Sequence, residues 1–236
     1  MQFTKTQTAL RQRLLTLLHT FHATHIGSCL STIDIIDAVY TVKKRHEKFI
    51  LSSGHAAVAL YVVLEKYGYL KNADLNKLHI HPDRDEKRGI DLSTGSLGQG
   101  LPIATGMALA DSKKNVYCLM SDGECAEGSI WETLRVISEQ KILNIKIIVS
   151  VNGWGAYDPI DAKNLEKRFK GFGFTVLKID GHNEEKIVSA LRMKYAKPTI
   201  LFAKTISDQF PFLVGQDAHY HTMNDNDYQS ANKKLK

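Results

Sequence analysis

The sequence predicts an α/β domain built on a mainly parallel sheet with helices on both faces, and three observations carry that reading. Short apolar runs rich in β-branched and aromatic residues recur at 49–51, 115–121, 145–151, 175–179 and 199–205. Stretches of helical periodicity alternate with them, as over 127–140, where Ile130, Leu134 and Ile137 fall at three- and four-residue spacing. Two of the runs end in Asp122-Gly123 and Asn152-Gly153, thirty residues apart. Strands joined by a helix in a right-handed unit run the same way, so their carboxyl ends share one sheet edge, where open α/β sheets bind ligands. Asp122 and Asn152 are therefore expected to meet.

With 236 residues, 43% of them hydrophobic and 24% charged, the chain suits one globular domain spanning 1–236, and fibrous and disordered classes are excluded. The net charge of +6 is spread along the sequence and gathers into a run only at Lys233-Lys234-Leu235-Lys236. Such a surface suits phosphorylated substrates, and nucleic acid is not expected as a partner. Cys29, Cys118 and Cys125 have no paired spacing, so neither a disulfide framework nor a zinc site is expected, and the reading is of reduced thiols in a cytoplasmic protein. The basic start, with Arg11 and Arg13 ahead of Leu14 and Leu15 and no acidic residue before Asp34, has the flavour of a targeting peptide, but its apolar run is short and interrupted. No apolar stretch approaches the ~18 residues of a membrane span, so no membrane partner is expected.

Residues 9–23 read as an amphipathic helix, followed by a loop over 24–31 that contains His25. A second helix is expected to be capped by Ser31 or Thr32, with Asp34 in its first turn. After the 49–51 strand, Ser52-Ser53-Gly54-His55 turns into an alanine-rich helix, placing His55 where backbone amides and the helix dipole favour anions. Residues 71–94 look irregular and polar, with charges over 83–88; His79 and His81 would share a face on a strand and mimic a metal pair, or lie in a solvated loop. Thr94-Gly95-Ser96-Leu97-Gly98-Gln99-Gly100-Leu101 then permits close backbone approach to a ligand ahead of a helix over 103–110. Helix 164–172, strand 175–179, helix 183–195 and strand 199–205 continue the alternation, and 206–236 reads as a loop-rich tail.

At the expected sheet edge, the Asp122 carboxylate, the Asn152 amide oxygen and a neighbouring backbone carbonyl are hard oxygen donors, suited to magnesium or calcium rather than zinc or copper. A site with one protein charge needs a polyanionic ligand to complete it, and a diphosphate is the natural candidate. Asp-Gly and Asn-Gly are also ordinary turn dipeptides; their pairing across a strand-helix-strand unit is what points to a site.

The stretch Ser121-Asp122-Gly123-Glu124-Cys125-Ala126-Glu127-Gly128-Ser129-Ile130-Trp131-Glu132, reaching Val151-Asn152-Gly153-Trp154, resembles the signature of thiamine-diphosphate enzymes of the transketolase group. His25-Ile26-Gly27, Leu51-Ser52-Ser53-Gly54-His55-Ala56, His81-Pro82, the glycine-rich 94–101 stretch and Ala218-His219-Tyr220-His221 resemble further elements of the same family, in the same order. The resemblance implies a thiamine-diphosphate-binding fold in which Asp122, Asn152 and the Trp154 carbonyl hold Mg2+, with Ca2+ or Mn2+ as substitutes. It implies cofactor contacts from His55, Gly95, Ser96, Leu97, Gly123, Glu124 and His219, with His221 as the alternative to His219. It also implies that His25, His81 and His219 face substrate, and that Glu127 and Glu132 join a carboxylate network running to a partner domain. By geometry alone those two glutamates are also simply helix-start acids. The sequence departs from the family at Ser121, where a glycine is usual, at Val151, in the charged stretch beside His81, and at Ser207-Asp208-Gln209-Phe210.

What is matched is the diphosphate-binding half of the family's machinery. The half that supplies a glutamate to the cofactor's pyrimidine is not, and no glutamate follows Glu185. The implied function is transfer of a two-carbon ketol unit from a ketose to an aldehyde acceptor, an aldose or keto-sugar, free or phosphorylated. The implied partner is a carboxy-terminal, pyrimidine-binding transketolase subunit in an α2β2 assembly. The alternatives are a subunit of a ketoacid dehydrogenase or deoxyxylulose phosphate synthase type of enzyme, or a non-catalytic cofactor-binding homologue.

Overall fold

The computed structural model describes residues 2–155, 158–215 and 217–235; the last lysine of the basic run, Lys236, lies outside them. Strands β1 (Lys48–Leu51), β2 (Val116–Ser121), β3 (Ile145–Val151), β4 (Thr175–Asp180) and β5 (Thr199–Lys204) form one sheet in the order β1-β2-β3-β5-β4. Every pairing is parallel, as the strand-helix alternation predicts. The strands are apolar on both faces because helices cover both: along β2, Val116, Cys118 and Met120 enter one core, Tyr117 and Leu119 the other.

Helices α1 (Lys5–Thr20), α2 (Ile26–Val42) and α3 (Ala57–Lys66) cover the second face. A single turn, α4 (Leu75–Leu78), precedes α5 (Gly100–Ala110), α6 (Gly128–Glu139) and α7 (Ala162–Gly171), which cover the first. Helix α8 (Glu184–Arg192) returns to the second face, followed by α9 (Asp217–Tyr220) and α10 (Asp225–Lys234). The chain thus leaves β3 towards one face and β5 towards the other. A crevice opens between connections that diverge in this way, outside the carboxyl ends of β2, β3 and β5.

Two sequence expectations change, and the metal-pair alternative at His79 and His81 falls away. Helix α2 starts at Ile26, behind His25 in a left-handed conformation (φ 65°), and is not capped by Ser31 or Thr32. Those hydroxyls lie inside the helix and donate to the Gly27 and Ser28 carbonyls at 2.8 and 2.9 Å. Burial of Ile26, Cys29, Leu30 and Ile33 outweighs the weak helix preference of the Gly-Ser-Cys start. The tail is not loop-rich throughout: Asn224 and Asp227 form a reciprocal capping box that starts α10, and Tyr228, Ala231 and Leu235 pack into the core beside α1. Finally, His79 and His81 share no strand face, because His79 ends α4 with φ 61°. Among the described residues no group of three His, Cys, Asp or Glu side chains is placed to hold a metal.

Candidate functional site

Seven separate segments converge on a cavity of about 320 Å3 at the carboxyl ends of the strands, among them α2 and the glycine-rich loop. Ser121 and Gly123 follow β2, Asn152 and Trp154 follow β3, and Ser207 follows β5. His55 enters from the 3-10 turn after β1, and Ala218 and His219 from α9.

Asp122 is 1% exposed at the end of β2. Its two oxygens accept the backbone N–H groups of Gly123 at 3.0 Å and of Gly153 at 2.7 Å, so the turns after β2 and β3 are tied together through this one side chain. No cationic side chain pairs with it among the described residues, and burial pushes its pKa up to about 6. The Asn152 oxygen accepts the Trp154 N–H at 2.9 Å, and its amide donates to Ser31 at 3.3 Å. The Trp154 carbonyl lies against Gly123, 3.5 Å from where a Cβ there would sit. One uncompensated carboxylate beside an amide oxygen and a backbone carbonyl fits a hard cation whose remaining charge is met by an anionic ligand. That fit rests on the donor set alone.

Four histidines gather beside this point. The His25 ring centroid is 4.5 Å from that of His219, 5.3 Å from His55 and 6.2 Å from His81. His55 and His219 are 5.2 Å apart. The His25 backbone N–H donates to the His219 carbonyl at 2.9 Å, fastening α2 to α9 across the whole chain. A left-handed residue with a side chain costs about 1–2 kcal/mol, a strain that this clamp offsets. Burial, then the neighbouring His219 and His81, pushes His25 down to about 4; burial, then the other histidines, pushes His55 down to about 3. Both rings are neutral at pH 7, and the buried His25 Nδ1 has no hydrogen-bond partner.

Because the folded-state pKa of His55 is depressed, its contribution to stability is present above about 6.5 and lost as pH falls towards 3. The ligand-free chain is therefore expected to lose on the order of 2 kcal/mol from this group by pH 5. Thermal melts at pH 7 and pH 5 should show the drop, and His55→Gln should shrink it; an unchanged drop in the variant would remove His55 as its source.

The glycine-rich stretch is gripped from below. The Gly98 N–H donates to Glu124 at 2.8 Å and its carbonyl accepts from Ser129 at 2.8 Å, at φ 82° with Glu127 and Ser129 too close for a side chain. This leaves Leu97 on the cavity wall, with Ser96 exposed beside it and Gly95 packed against the His81 ring. Glu124 is fully buried, takes the Ser52 hydroxyl at 2.5 Å as well as Gly98, and keeps one oxygen unpartnered. It sits beneath the loop, outside the cavity lining. Glu127 lies on the lining at the start of α6, while Glu132 is exposed one turn further on. His221 turns away to Asp227 at 2.9 Å, leaving His219 as the histidine of that pair on the cavity.

Sequence reasoning missed a row of hydroxyls on the same lining, Ser28, Ser31, Thr32, Ser53, Ser150 and Ser207. Four of them lie in stretches singled out for other residues. Ser150 and Ser207 carry no local signal, since only strand register and the turn after β5 bring them in.

A parallel sheet with helices on both faces that gathers a buried carboxylate, an amide oxygen and histidines around one cavity at its carboxyl edge defines an α/β ligand-binding domain. The family described as "Transketolase, thiamine diphosphate binding domain" matches residues 5–236, and the chain belongs to it. Human transketolase is 34% identical over 206 residues, covering 77% of this chain and 33% of that protein. One of the subunits of the apulose-4-phosphate transketolase of Actinobacillus succinogenes is 29% identical over 225 residues, covering 84% of this chain and 82% of that protein. Among solved structures, the transketolase of Leishmania mexicana superposes with a TM-score of 0.83 at 19% identity, over 99% of this chain and 42% of that one. The Campylobacter jejuni transketolase gives 0.74 at 25% identity, over 96% and 43%. The chain thus spans about a third of the length of the first curated relatives it matches.

Proposed function

We propose that this chain is the diphosphate-binding subunit of a two-chain transketolase, moving a two-carbon ketol unit from a ketose to an aldehyde acceptor. The observation that carries this reading is the buried, unpaired Asp122 carboxylate that ties the turns after β2 and β3 beside the Asn152 oxygen, at a cavity lined by His55 and His219; similarity to a protein that is itself named as one subunit of a transketolase supports the two-chain form. A second chain would then bring the pyrimidine-binding domain, in an α2β2 assembly. The three buried free thiols suit a cytoplasmic setting, where such pairs of chains would work on sugars or sugar phosphates.

In this reading Asp122, Asn152 and the Trp154 carbonyl hold Mg2+, and the metal holds the diphosphate. His55 and His219 donate to diphosphate oxygens, while Gly95, Ser96, Leu97 and Gly123 bring backbone close to the cofactor. Glu124 acts from beneath by holding Gly98. When bound, thiamine diphosphate supplies the electron sink for carbon–carbon cleavage. His25 and His81 stand on the substrate side, where a neutral imidazole at His25 can take a proton from a sugar hydroxyl and return it. Glu127 and Glu132 face the partner.

The test is to assemble the chain with its partner, thiamine diphosphate and Mg2+, and to follow ketol transfer across a panel of ketose donors and aldehyde acceptors. Transfer is expected with at least one pair; cofactor binding without any transfer would favour the non-catalytic alternative. Within that assay His55→Ala should weaken cofactor affinity, whereas His25→Ala and His81→Ala should lower turnover with cofactor saturating. Loss of one hydrogen bond to a charged group costs about 1.5–3 kcal/mol, roughly ten- to a hundredfold. Wild-type turnover in all three variants would overturn the division of roles.

A further inference from the structure

Arg11, on α1, is the largest side chain fully withdrawn from solvent among the described residues, and it lies off the cavity lining. Its guanidinium meets both oxygens of Asp34, at 2.9 and 2.5 Å, and its Nε donates to Gln209 at 2.9 Å. Asp34 in turn accepts from His182 Nδ1 at 2.7 Å, and His182 Nε2 accepts the backbone N–H of Ile206 at 2.9 Å. Because Nε2 is the acceptor of a main-chain N–H, the ring proton must sit on Nδ1, the nitrogen that faces Asp34. Gln209 completes the circuit by donating to the Ile206 carbonyl at 2.9 Å. Both main-chain groups of Ile206 are thus held by one buried relay.

A buried ion pair is a weak source of stability compared with apolar packing of the same volume, so a relay of this kind is better explained by the geometry it enforces. What it enforces is next to the site. On one side of Ile206, Thr205 bonds through its hydroxyl to Ser150 at 3.0 Å and through its N–H to the Val151 carbonyl at 2.9 Å. On the other, Ser207 lies on the cavity wall, packed so closely on Gly27 that a Cβ there would sit 3.1 Å from its own. Gly27 lies in the first turn of α2, two residues after His25.

We infer that His182 and Gln209, anchored from behind by Asp34 and Arg11, are positioning residues that fix the Ile206 peptide and thereby set Ser207 and the start of α2 around the cofactor. This rests on the reading of the cavity as the cofactor site. None of the four touches the cavity; they act through Ile206.

Two substitutions at one position separate geometry from stability. In His182→Gln the side-chain oxygen reaches the place of Nε2 and keeps an acceptor for Ile206, while the bond to Asp34 is lost. In His182→Asn the amide reaches the place of Nδ1 and keeps Asp34, while Ile206 loses its acceptor. Amide hydrogen exchange at Ile206 in the ligand-free chain should rise about tenfold in the Asn variant and stay within about threefold of wild type in the Gln variant. Thiamine diphosphate affinity, measured with Mg2+ in the assembled enzyme, should weaken about tenfold in the Asn variant and about twofold or less in the Gln variant. Should the Asn variant fail to fold, Gln209→Met, which releases the Ile206 carbonyl, should give the same rise in exchange and the same loss of affinity. Equal losses in the Gln and Asn variants, tracking their melting temperatures, would reduce the relay to a structural role and overturn the inference. If the wild-type assembly binds no thiamine diphosphate, it is the proposed function that fails, and the exchange experiment still decides whether the relay holds Ile206.

Discussion

Asp122→Ala is expected to abolish magnesium-dependent thiamine diphosphate binding in the assembled enzyme, a loss of at least about a hundredfold in affinity, while the chain stays folded. The side chain removed is the only carboxylate in the proposed donor set, and its two oxygens also bind the Gly123 and Gly153 N–H groups. Alanine therefore removes the charge that holds the cation and unties the two turns that carry the other donors. Hydrogen bonds to a charged group are worth about 1.5–3 kcal/mol each, so the turns relax as well as losing their metal. The pH dependence has a definite sign. Burial raises the Asp122 pKa to about 6, and binding needs the ionised form, so affinity in the wild type should climb as pH rises through about 6 and level off above it. The raised pKa also means that in the ligand-free chain the group's contribution to stability is greatest below about 3.8 and is lost as pH rises through 6. Titration calorimetry with Mg2+ and thiamine diphosphate at pH 5.5 and pH 7.5 checks the binding, and thermal melts of the ligand-free wild type and Asp122→Ala compared across the same range isolate this contribution from the opposite trend of His55. Unchanged affinity in the alanine variant would remove Asp122 from the metal site.

The chain saturated with Mg2+ and thiamine diphosphate but lacking any partner is expected to show no ketol transfer, and to gain it when the pyrimidine-binding subunit is added. The physical reason lies in what the fold leaves uncovered. Helix α5 is apolar on nearly every side, yet Ile103 and Leu109 are 40% and 51% exposed on it. A helix apolar all round belongs in an interior, and an apolar face of this kind directly behind the glycine-rich loop suits the contact that the proposed two-chain reading requires. The exposed Glu127 sits at the N-cap of the neighbouring α6 and the exposed Glu132 lies on it. Turnover by the purified chain at a rate comparable to the assembled enzyme would end the two-chain reading. Sedimentation of the chain alone adds a second measurement, in which the uncovered face should show as self-association.

Much of this was legible from local pattern. The strands announce themselves as short apolar runs, and the turns after β2 and β3 as Asp122-Gly123 and Asn152-Gly153, because period and turn chemistry depend only on neighbours in sequence. Ordered family motifs added the histidines in the same local way. Asn224 and Asp227 also carry a capping signal, set in a stretch whose polar composition reads as loop.

Other features depend on residues far apart. Ser31 and Thr32 look like helix caps in sequence, but packing of Ile26, Cys29 and Leu30 pulls the helix start five residues earlier than Ser31. Glu124, read as a cofactor contact, turns inward because Ser52 and the Gly98 N–H offer it buried partners from two other segments. Arg11 reads as part of a basic start and Asp34 as an acid in a helix's first turn until His182, 148 residues beyond Asp34, closes the relay. Short-range periodicity and backbone preference suffice to specify the sheet, the helices between its strands and the two turns at its edge. Which polar groups face the cavity and which hold its walls from behind is settled only in the folded chain, because a buried charge or hydroxyl takes its role from partners that folding brings within hydrogen-bond reach.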